Sequence, residues 1–344
     1  MKISIGYKVI DGPWGGGNSF SIQLTNFLEE NNIKVVNNLE DSDIDLILLT
    51  EPRRYNHAAS FNHIDIYKYI KNINTQAIVV NRINECDERK NTNGLNNYLI
   101  NVSNIADHTV FISSWLKELF VKSGYEDINN SVIRNGANKE FFNFNNKKIS
   151  ANKIKIVTHH WGRDLNKGFN IYKELDTLLE EESFKEKFEF TFIGNIPKNV
   201  NLKNTKTITP LFGKKLGEEL SRHDIYITGS MFEPAGMHHI EGAMSGLPIL
   251  YINSGGVTEY CKNYGLEYTY ENLSIKLDEI VNKYDFFTKR LEKYEFTGEA
   301  MNRGYLDLFQ NLLNNKKELL SNRKNFKLSN FKNQYKILNY YFYL

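Results

Sequence analysis

Two glutamates eight residues apart, Glu233 and Glu241, are the side chains in this sequence whose spacing most suggests chemistry. They lie in the stretch EPAGMHHIEGAMSGLP, which follows an apolar run typical of a buried strand. Proline is favoured at the first position of a helix and glycine just beyond its end. The stretch therefore predicts a helix from about Pro234 to Ser245, with Gly246 as its stop. Glu233 would then lie at the N-terminal mouth of this helix.

A helix mouth at the carboxyl edge of a parallel sheet favours anions, because backbone N–H groups and the helix dipole converge there. A carboxylate at that place would repel a phosphate, so we expect Glu233 to bind a polyol beside it. If the stretch were helical throughout, the glutamates would be about 12 Å apart along the axis. That is close to the separation of the ribose and the transferred sugar in a nucleotide sugar, so the spacing favours one glutamate for each sugar.

The elements that must position these glutamates form two series of alternating strands and helices. Short apolar runs such as KISIGY, DLILLT, QAIVV and HTVFIS alternate with helical patterns. The pattern lapses in a polar segment at residues 139–153, which is typical of a linker, and resumes with IKIVTHHW. Buried strands joined by helices indicate parallel sheets. The sequence therefore predicts an α/β fold with two Rossmann-like domains, residues 1–150 and 151–295.

The composition argues against several classes of protein. The chain has 344 residues, of which 41% are hydrophobic, so it can fill two cores. Its 43 basic and 41 acidic residues are interspersed and give a net charge of +2, which does not favour a nucleic-acid partner. No run approaches a membrane span or a signal peptide, so we expect a cytoplasmic protein. Cys86 and Cys261 have no metal or disulfide spacing, which indicates reduced thiols.

Other catalytic patterns fit less well. The D-x-D of EDSDIDLILL precedes an apolar strand, where turn and strand-start roles suffice. The histidine pairs at 159–160 and 238–239 lack the i, i+4 spacing of a metal site, and neighbours on a strand point to opposite faces. We therefore predict no metal. The motifs of hydrolases, P-loop kinases and dinucleotide-dependent dehydrogenases do not occur in the required places.

The stretch from Glu233, followed by YINSGGVTEY, resembles the donor site of family-4 retaining glycosyltransferases of the GT-B fold. The usual form in that family is E-G-F-G-x-x-x-x-E-A-M-A-x-G-x-P, followed by a Gly-Gly-x-x-Glu loop. The resemblance extends over most of residues 1–310 and implies that Glu233 contacts the donor hexose while Glu241 holds the ribose hydroxyls. Pro234 and Ala235 replace the usual Gly-Phe, which leaves the ribose contact the firmer of the two. The other residues that the resemblance places in the donor site are Gly236, Met237, Gly255, Gly256 and Glu259.

Further stretches agree with this resemblance. THHWGRDLNKGF is similar to the family's G-R-x-x-x-x-K-G segment, in which Arg163 and Lys167 would bind the donor diphosphate. The spacer is one residue shorter here, so Lys167 is the firmer assignment, and pairing of Arg163 with a local acid stays open. GPWGGGNSF is similar to the glycine-rich first loop, whose glycines let backbone approach the reacting groups, although hairpin turns also use glycines. The loop glycines are Gly15, Gly16 and Gly17.

NRINECDERK, at residues 81–90, follows a predicted strand and opens at the same edge of the first domain. It is similar to a subgroup with Arg-Ile-Asn-Asp/Glu at this place. We therefore predict that Arg82, Asn84 and Asp87 lie on the acceptor side. A solvated charged loop is an equal alternative.

The resemblance implies two domains facing across a cleft, a helix at 296–314 that crosses back to the first domain, and domain closure during catalysis. It implies a retaining glycosyltransferase that moves a sugar from a nucleoside-diphosphate sugar to an acceptor hydroxyl, without metal or cofactor. A UDP-sugar is the leading expectation for the donor, and a glycan, lipid-linked or protein acceptor in bacterial surface glycan or glycoconjugate synthesis is expected. Two alternatives stay open: a non-catalytic sugar-nucleotide-binding subunit, and an epimerase or phosphorylase of the same fold.

Residues 315–344 change character, with seven Lys or Arg against one Glu, interleaved with Phe and Tyr. Such a tail suits an anionic membrane surface, at about 1 kcal/mol per basic residue near the headgroups. This predicts peripheral contact with the inner face of the membrane. The alternative is that Leu319, Leu320, Phe326 and the terminal aromatics pack on the first domain while the lysines stay solvated.

Overall fold

The computed structural model describes residues 1–10, 12, 14–53, 56–144 and 148–323. The chain forms two compact units whose boundaries differ from those expected at residues 150 and 295. The glycine-rich loop at 10–23 and the segment 134–150 belong to unit 2, and the described chain from residue 302 belongs to unit 1. Unit 1 thus comprises residues 1–9, 24–133 and 302–323, and unit 2 comprises residues 10–23 and 134–301.

Unit 1 contains a six-stranded parallel sheet in the order β2-β1-β3-β4-β5-β6. Its central strands are buried along their whole length and mostly apolar, as expected for a parallel sheet covered by helices. The strands are β1 (Lys2–Ile5), β2 (Lys34–Val36), β3 (Leu46–Leu49), β4 (Ile78–Ile83), β5 (His108–Phe111) and β6 (Asn130–Val132). The helices up to this point in the chain are α1 (Gly16–Glu30), α2 (His63–Asn72), α3 (Asp87–Lys90), α4 (Leu95–Ser103) and α5 (Ser114–Lys122).

Unit 2 repeats the plan with a six-stranded parallel sheet in the order β12-β11-β10-β7-β8-β9. The strands are β7 (Ile154–His160), β8 (Phe188–Gly194), β9 (Lys206–Ile208), β10 (Ile225–Thr228), β11 (Ile249–Tyr251) and β12 (Gly265–Glu267). The helices are α6 (Phe169–Leu178), α7 (Glu182–Lys187), α8 (Gly213–Leu220), α9 (Met237–Met244), α10 (Val257–Cys261), α11 (Leu273–Asn282) and α12 (Tyr284–Leu291), with short 3-10 turns at Leu165–Lys167 and Tyr270–Asn272. The core is rich in buried aromatic side chains from β8 and α6, and β7 adds isoleucines to it.

The order of strands reverses beside the first strand of each sheet. In unit 1, β1 lies between β2 and β3, and in unit 2, β7 lies between β8 and β10. Doubly wound sheets bind ligands at the carboxyl ends of the strands beside such a reversal, because the connecting helices leave on opposite faces and open a crevice. In unit 2 this point is where the chain leaves β7 and β10 towards Lys167 and Glu233.

The helix predicted from Pro234 begins later, and that part of the prediction was wrong. Helix α9 starts at Met237, and Phe232 adopts a left-handed backbone with φ of 52°. The turn before the helix is held by a neighbouring loop, because the Glu233 carbonyl accepts from the Gly256 amide at 2.9 Å. Glu233 and Glu241 therefore do not share one helix, and the axial separation estimated for a continuous helix does not apply. Gly246, with φ of 82°, ends the helix as predicted.

The predicted crossing segment is one continuous helix, α13 (Gly298–Asn314), whose residues belong to unit 2 as far as Met301 and to unit 1 from Asn302. It is followed by α14 (Lys316–Ser321). Both interpretations of the tail depend on Phe326 and the residues after it, which lie outside the described residues, and both remain predictions. Among the described helices, none has the length and apolar character needed to cross a membrane.

Candidate active site

A buried ion pair marks the strand reversal of unit 2. The Nζ of Lys167 donates to Glu233 Oε2 at 2.7 Å, and both side chains are largely buried. Lys167 closes the 3-10 turn that follows β7, and the next residue, Gly168, is left-handed with φ of 94°. A Cβ on Gly168 would lie 2.4 Å from the carbonyl carbon of Gly229, so only glycine permits this close approach of the two loops. The loops thereby bring a cation and a carboxylate together.

The second glutamate is held by a histidine from the neighbouring strand. The Nε2 of His159 lies 2.7 Å from Glu241 Oε2, and its Nδ1 lies 3.1 Å from the Tyr226 hydroxyl. Glu241 and His159 are each 8% exposed, whereas Tyr226 is fully buried. Adjacent strands β7 and β10 carry the histidine and the tyrosine, and α9 carries the glutamate. The Glu241 carboxylate is therefore fixed by regular secondary structure and not by a loop.

A cluster of buried histidines lies next to these groups. His238 accepts or donates at 2.8 Å to the Thr228 hydroxyl, and its ring lies 4.5 Å from that of His160. Burial, reinforced by neighbouring histidines, lowers the pKa of His238 well below its ordinary value. Burial also lowers the pKa of His239 to about 3. Both imidazoles are therefore neutral at physiological pH and add no positive charge beside Lys167. His238 contributes a hydrogen bond, whereas His239 contributes packing only.

The glycine loop after β11 supports Glu233 through the backbone. Gly255 has φ of 70°, and a Cβ on it would lie 2.4 Å from the Glu233 carbonyl oxygen. Glu259, at the start of α10, forms a salt bridge of 3.0 Å with Arg134. The predicted residues Gly255 and Gly256 thus shape the turn that carries Glu233, while Glu259 is engaged with Arg134.

The glycine-rich loop belongs to the same unit. Gly15 has φ of 82°, and Gly16 and Gly17 form the first turn of α1. A Cβ on Gly16 would lie 2.8 Å from the Met237 Cγ, so the loop approaches the first residue of α9 closely. Gly236 is the N-cap of that helix. The predicted donor residues around the start of α9 are therefore neighbours in space.

Arg163 is exposed, and its Nη2 donates to Asn195 Oδ1 at 3.4 Å. Asn195 follows β8, so Arg163 lies at the end of the strand next to β7. The hydrogen-bond partner of Arg163 is an amide and not the local acid that the sequence left open. Trp161 precedes it, and the exposed rings of Trp161 and Trp14 lie 6.0 Å apart. Arg163 remains available to an anion at the strand ends.

The three residues predicted on the acceptor side differ in environment. Asp87 accepts from the amides of Leu95 at 2.9 Å and Asn96 at 2.8 Å, so its carboxylate caps the start of α4. Arg82 is buried on β4, and its charge opposes the rise that burial causes in the pKa of Tyr305. Asn84 is half-buried just beyond that strand. Asp87 therefore has a structural use of its carboxylate that the charge pattern did not reveal.

Sequence reasoning missed a buried carboxylate at the strand reversal of unit 1. Glu51 follows β3 and accepts from Arg53 Nε at 2.7 Å and Nη2 at 2.6 Å, and from Asn56 Nδ2 at 2.8 Å. Burial first, and then the charge of Glu51, raise the pKa of Tyr7, which follows β1. A single acidic residue after an apolar strand was the only available signal, and it was not used.

Solved structures share this architecture. The HepE protein of Anabaena, solved in complex with UDP-glucose, matches with a TM-score of 0.69 and 14% identity, covering 91% of this chain and 100% of that chain. A glycosyltransferase of Rickettsia africae gives 0.65 and 15%, covering 91% and 99%. The chain has the GT-B glycosyltransferase fold. Sucrose-phosphate synthase of Thermosynechococcus elongatus shares this fold, with a TM-score of 0.64 and 12% identity over 91% and 99% of the two chains.

The sequence itself matches no protein-family model and no curated protein. At such low identity the GT-B glycosyltransferase fold is what these comparisons establish. The two-sheet α/β prediction is thereby confirmed, whereas the roles of individual residues remain predictions.

Proposed function

We propose that this protein is a retaining glycosyltransferase that moves a sugar from a nucleoside-diphosphate sugar to an acceptor hydroxyl. The observation that carries the proposal is the Lys167–Glu233 ion pair at the strand reversal of unit 2, on the same sheet edge as the Glu241–His159 pair. A cation and two carboxylates in this place suit a diphosphate flanked by two polyols. HepE was solved with UDP-glucose and with UDP, which favours a UDP-sugar as the donor.

Each polar group has a role in this proposal. Lys167 and Arg163 bind the diphosphate, and their charges offset those of the leaving group. Glu241 accepts hydrogen bonds from the ribose diol, and Glu233 accepts from the sugar hydroxyls. Because Lys167 already contacts Glu233, the bound sugar and the bound phosphate would lie on either side of one ion pair.

Transfer requires no covalent bond to the protein. The bond between the anomeric carbon and the phosphate oxygen breaks, and the acceptor oxygen bonds to the same face of that carbon. The acceptor proton passes to the departing phosphate oxygen. Lys167 stabilises the charge that grows on the diphosphate, and binding in the site supplies proximity.

The proposal includes metal-independent turnover, because the two cations supply the positive charge that a divalent ion would otherwise provide. Product formation is expected to persist in excess EDTA. Loss of activity on chelation that Mn²⁺ or Mg²⁺ restores would contradict this part of the proposal.

A screen of UDP-, GDP- and ADP-sugars tests the function. Thermal shift should identify a donor that stabilises the protein, and turnover should release the nucleoside diphosphate and conserve the anomeric configuration in the product. Glu241→Ala should weaken the donor by about 1.5 to 3 kcal/mol with kcat little changed, because a ribose contact acts alike in the ground and transition states. Glu219→Ala is the matched control, since Glu219 is a similarly buried glutamate on α8 that pairs with Arg222.

The outcomes separate the alternatives. Binding without turnover across a panel of acceptors would indicate a sugar-nucleotide-binding subunit. Dependence on inorganic phosphate would indicate a phosphorylase, and isomerisation of the free donor would indicate an epimerase. Failure of every nucleotide sugar to bind would overturn the proposal.

A further inference from the structure

We infer that His159 and Tyr226 are positioning residues that fix the Glu241 carboxylate and so determine how strongly the protein recognises the ribose diol of its nucleotide. This inference rests on the proposed function and names the residues on which its nucleotide specificity depends. Neither side chain was identified from the sequence pattern, because both act through Glu241.

Three contacts form a continuous chain of hydrogen bonds. The backbone N–H of His159 donates to the Tyr226 hydroxyl at 3.1 Å, and the same hydroxyl lies 3.1 Å from His159 Nδ1. His159 Nε2 lies 2.7 Å from Glu241 Oε2. Tyr226 is fully buried, so its hydroxyl must be satisfied by these neighbours. The chain therefore runs from backbone to phenol, from phenol to imidazole and from imidazole to carboxylate.

The chain determines which nitrogen carries the proton. Nε2 of His159 faces a carboxylate oxygen at 2.7 Å, so this nitrogen is the one that must donate, and the Tyr226 hydroxyl, which accepts the backbone N–H of His159, can donate its own hydrogen to Nδ1. Nδ1 then acts as an acceptor, and Nε2 carries the proton that it donates to Glu241. Burial raises the pKa of Tyr226 well above its ordinary value, so the phenol remains a donor across the physiological range. The imidazole can therefore hold the carboxylate through the N–H at Nε2.

The surrounding packing holds the chain in place. Tyr226 and His159 lie on paired strands, with their rings edge to face at a centroid distance of 5.6 Å. The Tyr226 ring also packs on the backbone of α9, because a Cβ on Gly242 would lie 2.4 Å from it. Two strands and a helix thus fix both ends of this series of hydrogen bonds, and little freedom remains for the Glu241 carboxylate to rotate.

One carboxylate oxygen is left for the ligand. Within the described residues no group donates a hydrogen bond to Glu241 Oε1, whereas Oε2 is held by His159. A carboxylate held by one oxygen presents the other in a defined direction, which suits a vicinal diol whose hydroxyls have fixed geometry. Loss of the hydrogen bonds from Tyr226 through His159 to Glu241 would reduce recognition of the diol more than recognition of the base or diphosphate.

The test compares UDP with 2′,3′-dideoxy-UDP by calorimetry in the full-length protein. The wild-type protein should prefer UDP by about tenfold or more, as expected for hydrogen bonds to a charged group. Tyr226→Phe keeps the ring that packs on Gly242 and removes only the hydroxyl, and it should lower this preference at least threefold. His159→Leu should lower it further, whereas His159→Gln, which offers an N–H near the position of Nε2, should restore part of it.

Tyr268→Phe is the control, because Tyr268 is equally buried in unit 2 but donates to the Thr228 carbonyl and not to the chain ending at Glu241. It should leave the preference unchanged. If the wild type prefers UDP to the dideoxy analogue and Tyr226→Phe shows the same preference, the positioning role of Tyr226 and His159 is wrong. The proposed function would stand in that case. Failure of the wild type to bind UDP, GDP or ADP would overturn the proposed function, and the inference with it.

A measurement without ligand checks the proton. The protein is labelled with ¹⁵N at histidine, and the NMR signals of His159 are identified as those that disappear in His159→Gln. These signals should be those of the tautomer protonated at Nε2. The Nδ1-protonated tautomer would overturn the inference.

Discussion

Lys167 and Glu233 compensate each other's charge in a largely buried position, and this gives the pair separate effects on stability and catalysis. Lys167→Met should lower the free energy of unfolding by about 3 kcal/mol, because it leaves a buried carboxylate without its cation. It should also lower kcat roughly 100-fold or more, since Lys167 faces the charge that grows on the leaving group. Adding Glu233→Gln should restore stability but not activity. Urea unfolding and steady-state turnover measure the two effects.

Lys155→Met provides the control, because Lys155 pairs with Glu189 at 3.9 Å on the surface. The free energy of unfolding of Lys155→Met should differ from that of the wild type by less than about 1 kcal/mol. Recovery of activity in the double variant would show that Lys167 acts on stability alone.

At the scale of residues, the sequence identified Glu241 but not the side chain that holds it. Glu233 and Glu241 were found from their spacing and Lys167 from the family resemblance, and the structure pairs Lys167 with Glu233. The partnership of Glu241 with His159 spans 82 positions in the chain. Nothing in local spacing encodes such a pair, because it depends on which strands become neighbours in the sheet.

At the scale of elements, the close approach of Gly168 and Gly229 is required to place Lys167. Gly168→Ala combines a strained φ of 94° with a Cβ only 2.4 Å from backbone, which side chains cannot relieve. We expect a loss of more than about 2 kcal/mol in unfolding free energy, together with a raised KM for the donor. Gly124→Ala has a comparable φ of 98° with nothing within 4 Å of its Cβ. It should cost only about 1 kcal/mol, so equal losses in the two variants would contradict the steric explanation.

The last described residue ties the C-terminal segment to unit 1. Arg323 Nε donates to Asp107 Oδ1 at 2.7 Å, and Asp107 Oδ2 also accepts the Val79 amide at 2.8 Å. The Asp107 side chain is 1% exposed, so removing its cation leaves a buried charge. Arg323→Met should therefore lower the unfolding free energy by about 3 kcal/mol. Lys317→Met, at an exposed position on α14, should have an effect within about 0.5 kcal/mol.

Element prediction succeeded for the central strands, missed the short edge strands β2 and β12, and misplaced one helix start. The buried β-branched runs predicted the parallel strands because strands covered on both faces are uniformly apolar. The start of α9 was misplaced because Phe232 adopts a left-handed backbone, which the sequence did not suggest for a phenylalanine. The loop that stabilises this turn, at Ser254 and Gly256, is more than twenty positions away.

At the scale of the whole molecule, buried histidines should make the fold sensitive to mild acid. Burial lowers the pKa of His63 and His108 to about 4 and that of His239 to about 3. The unfolded chain binds protons near pH 6.5, whereas the folded protein does not until lower pH, so stability falls as pH decreases below 6.5. Each histidine contributes up to about 1.4 kcal/mol per pH unit in this window.

Urea unfolding at pH 7.5, 6.5 and 5.5 measures this dependence. His108→Gln should make this dependence shallower, because it removes one of the histidines whose pKa burial lowers. A wild-type free energy of unfolding that is constant from pH 7.5 to 5.5 would contradict the assignment of neutral buried histidines.

The two-domain architecture could be predicted, but the division of the chain between the units could not. Repeated strand-helix patterns predicted both sheets. Residues 10–23 precede most of unit 1 in sequence yet belong to unit 2, and α13 divides at residue 302. The sequence of a continuous helix does not show at which residue its packing passes from one unit to the other. A boundary at the polar linker near residue 150 was therefore the best inference from the sequence.

The close packing of Gly242 on Tyr226 has an evolutionary consequence. The glycosyltransferases that this stretch resembles usually have alanine directly after the second glutamate, but here a Cβ on Gly242 would lie 2.4 Å from the Tyr226 ring. Glycine at 242 and tyrosine at 226 should therefore occur together in homologues. Histidine at 159 should accompany them, because its imidazole forms a hydrogen bond with the Tyr226 hydroxyl. Homologues with a smaller residue at 226 should carry alanine at 242 and a residue other than histidine at 159. This trio would distinguish a lineage within the fold that overall identity is too low to resolve.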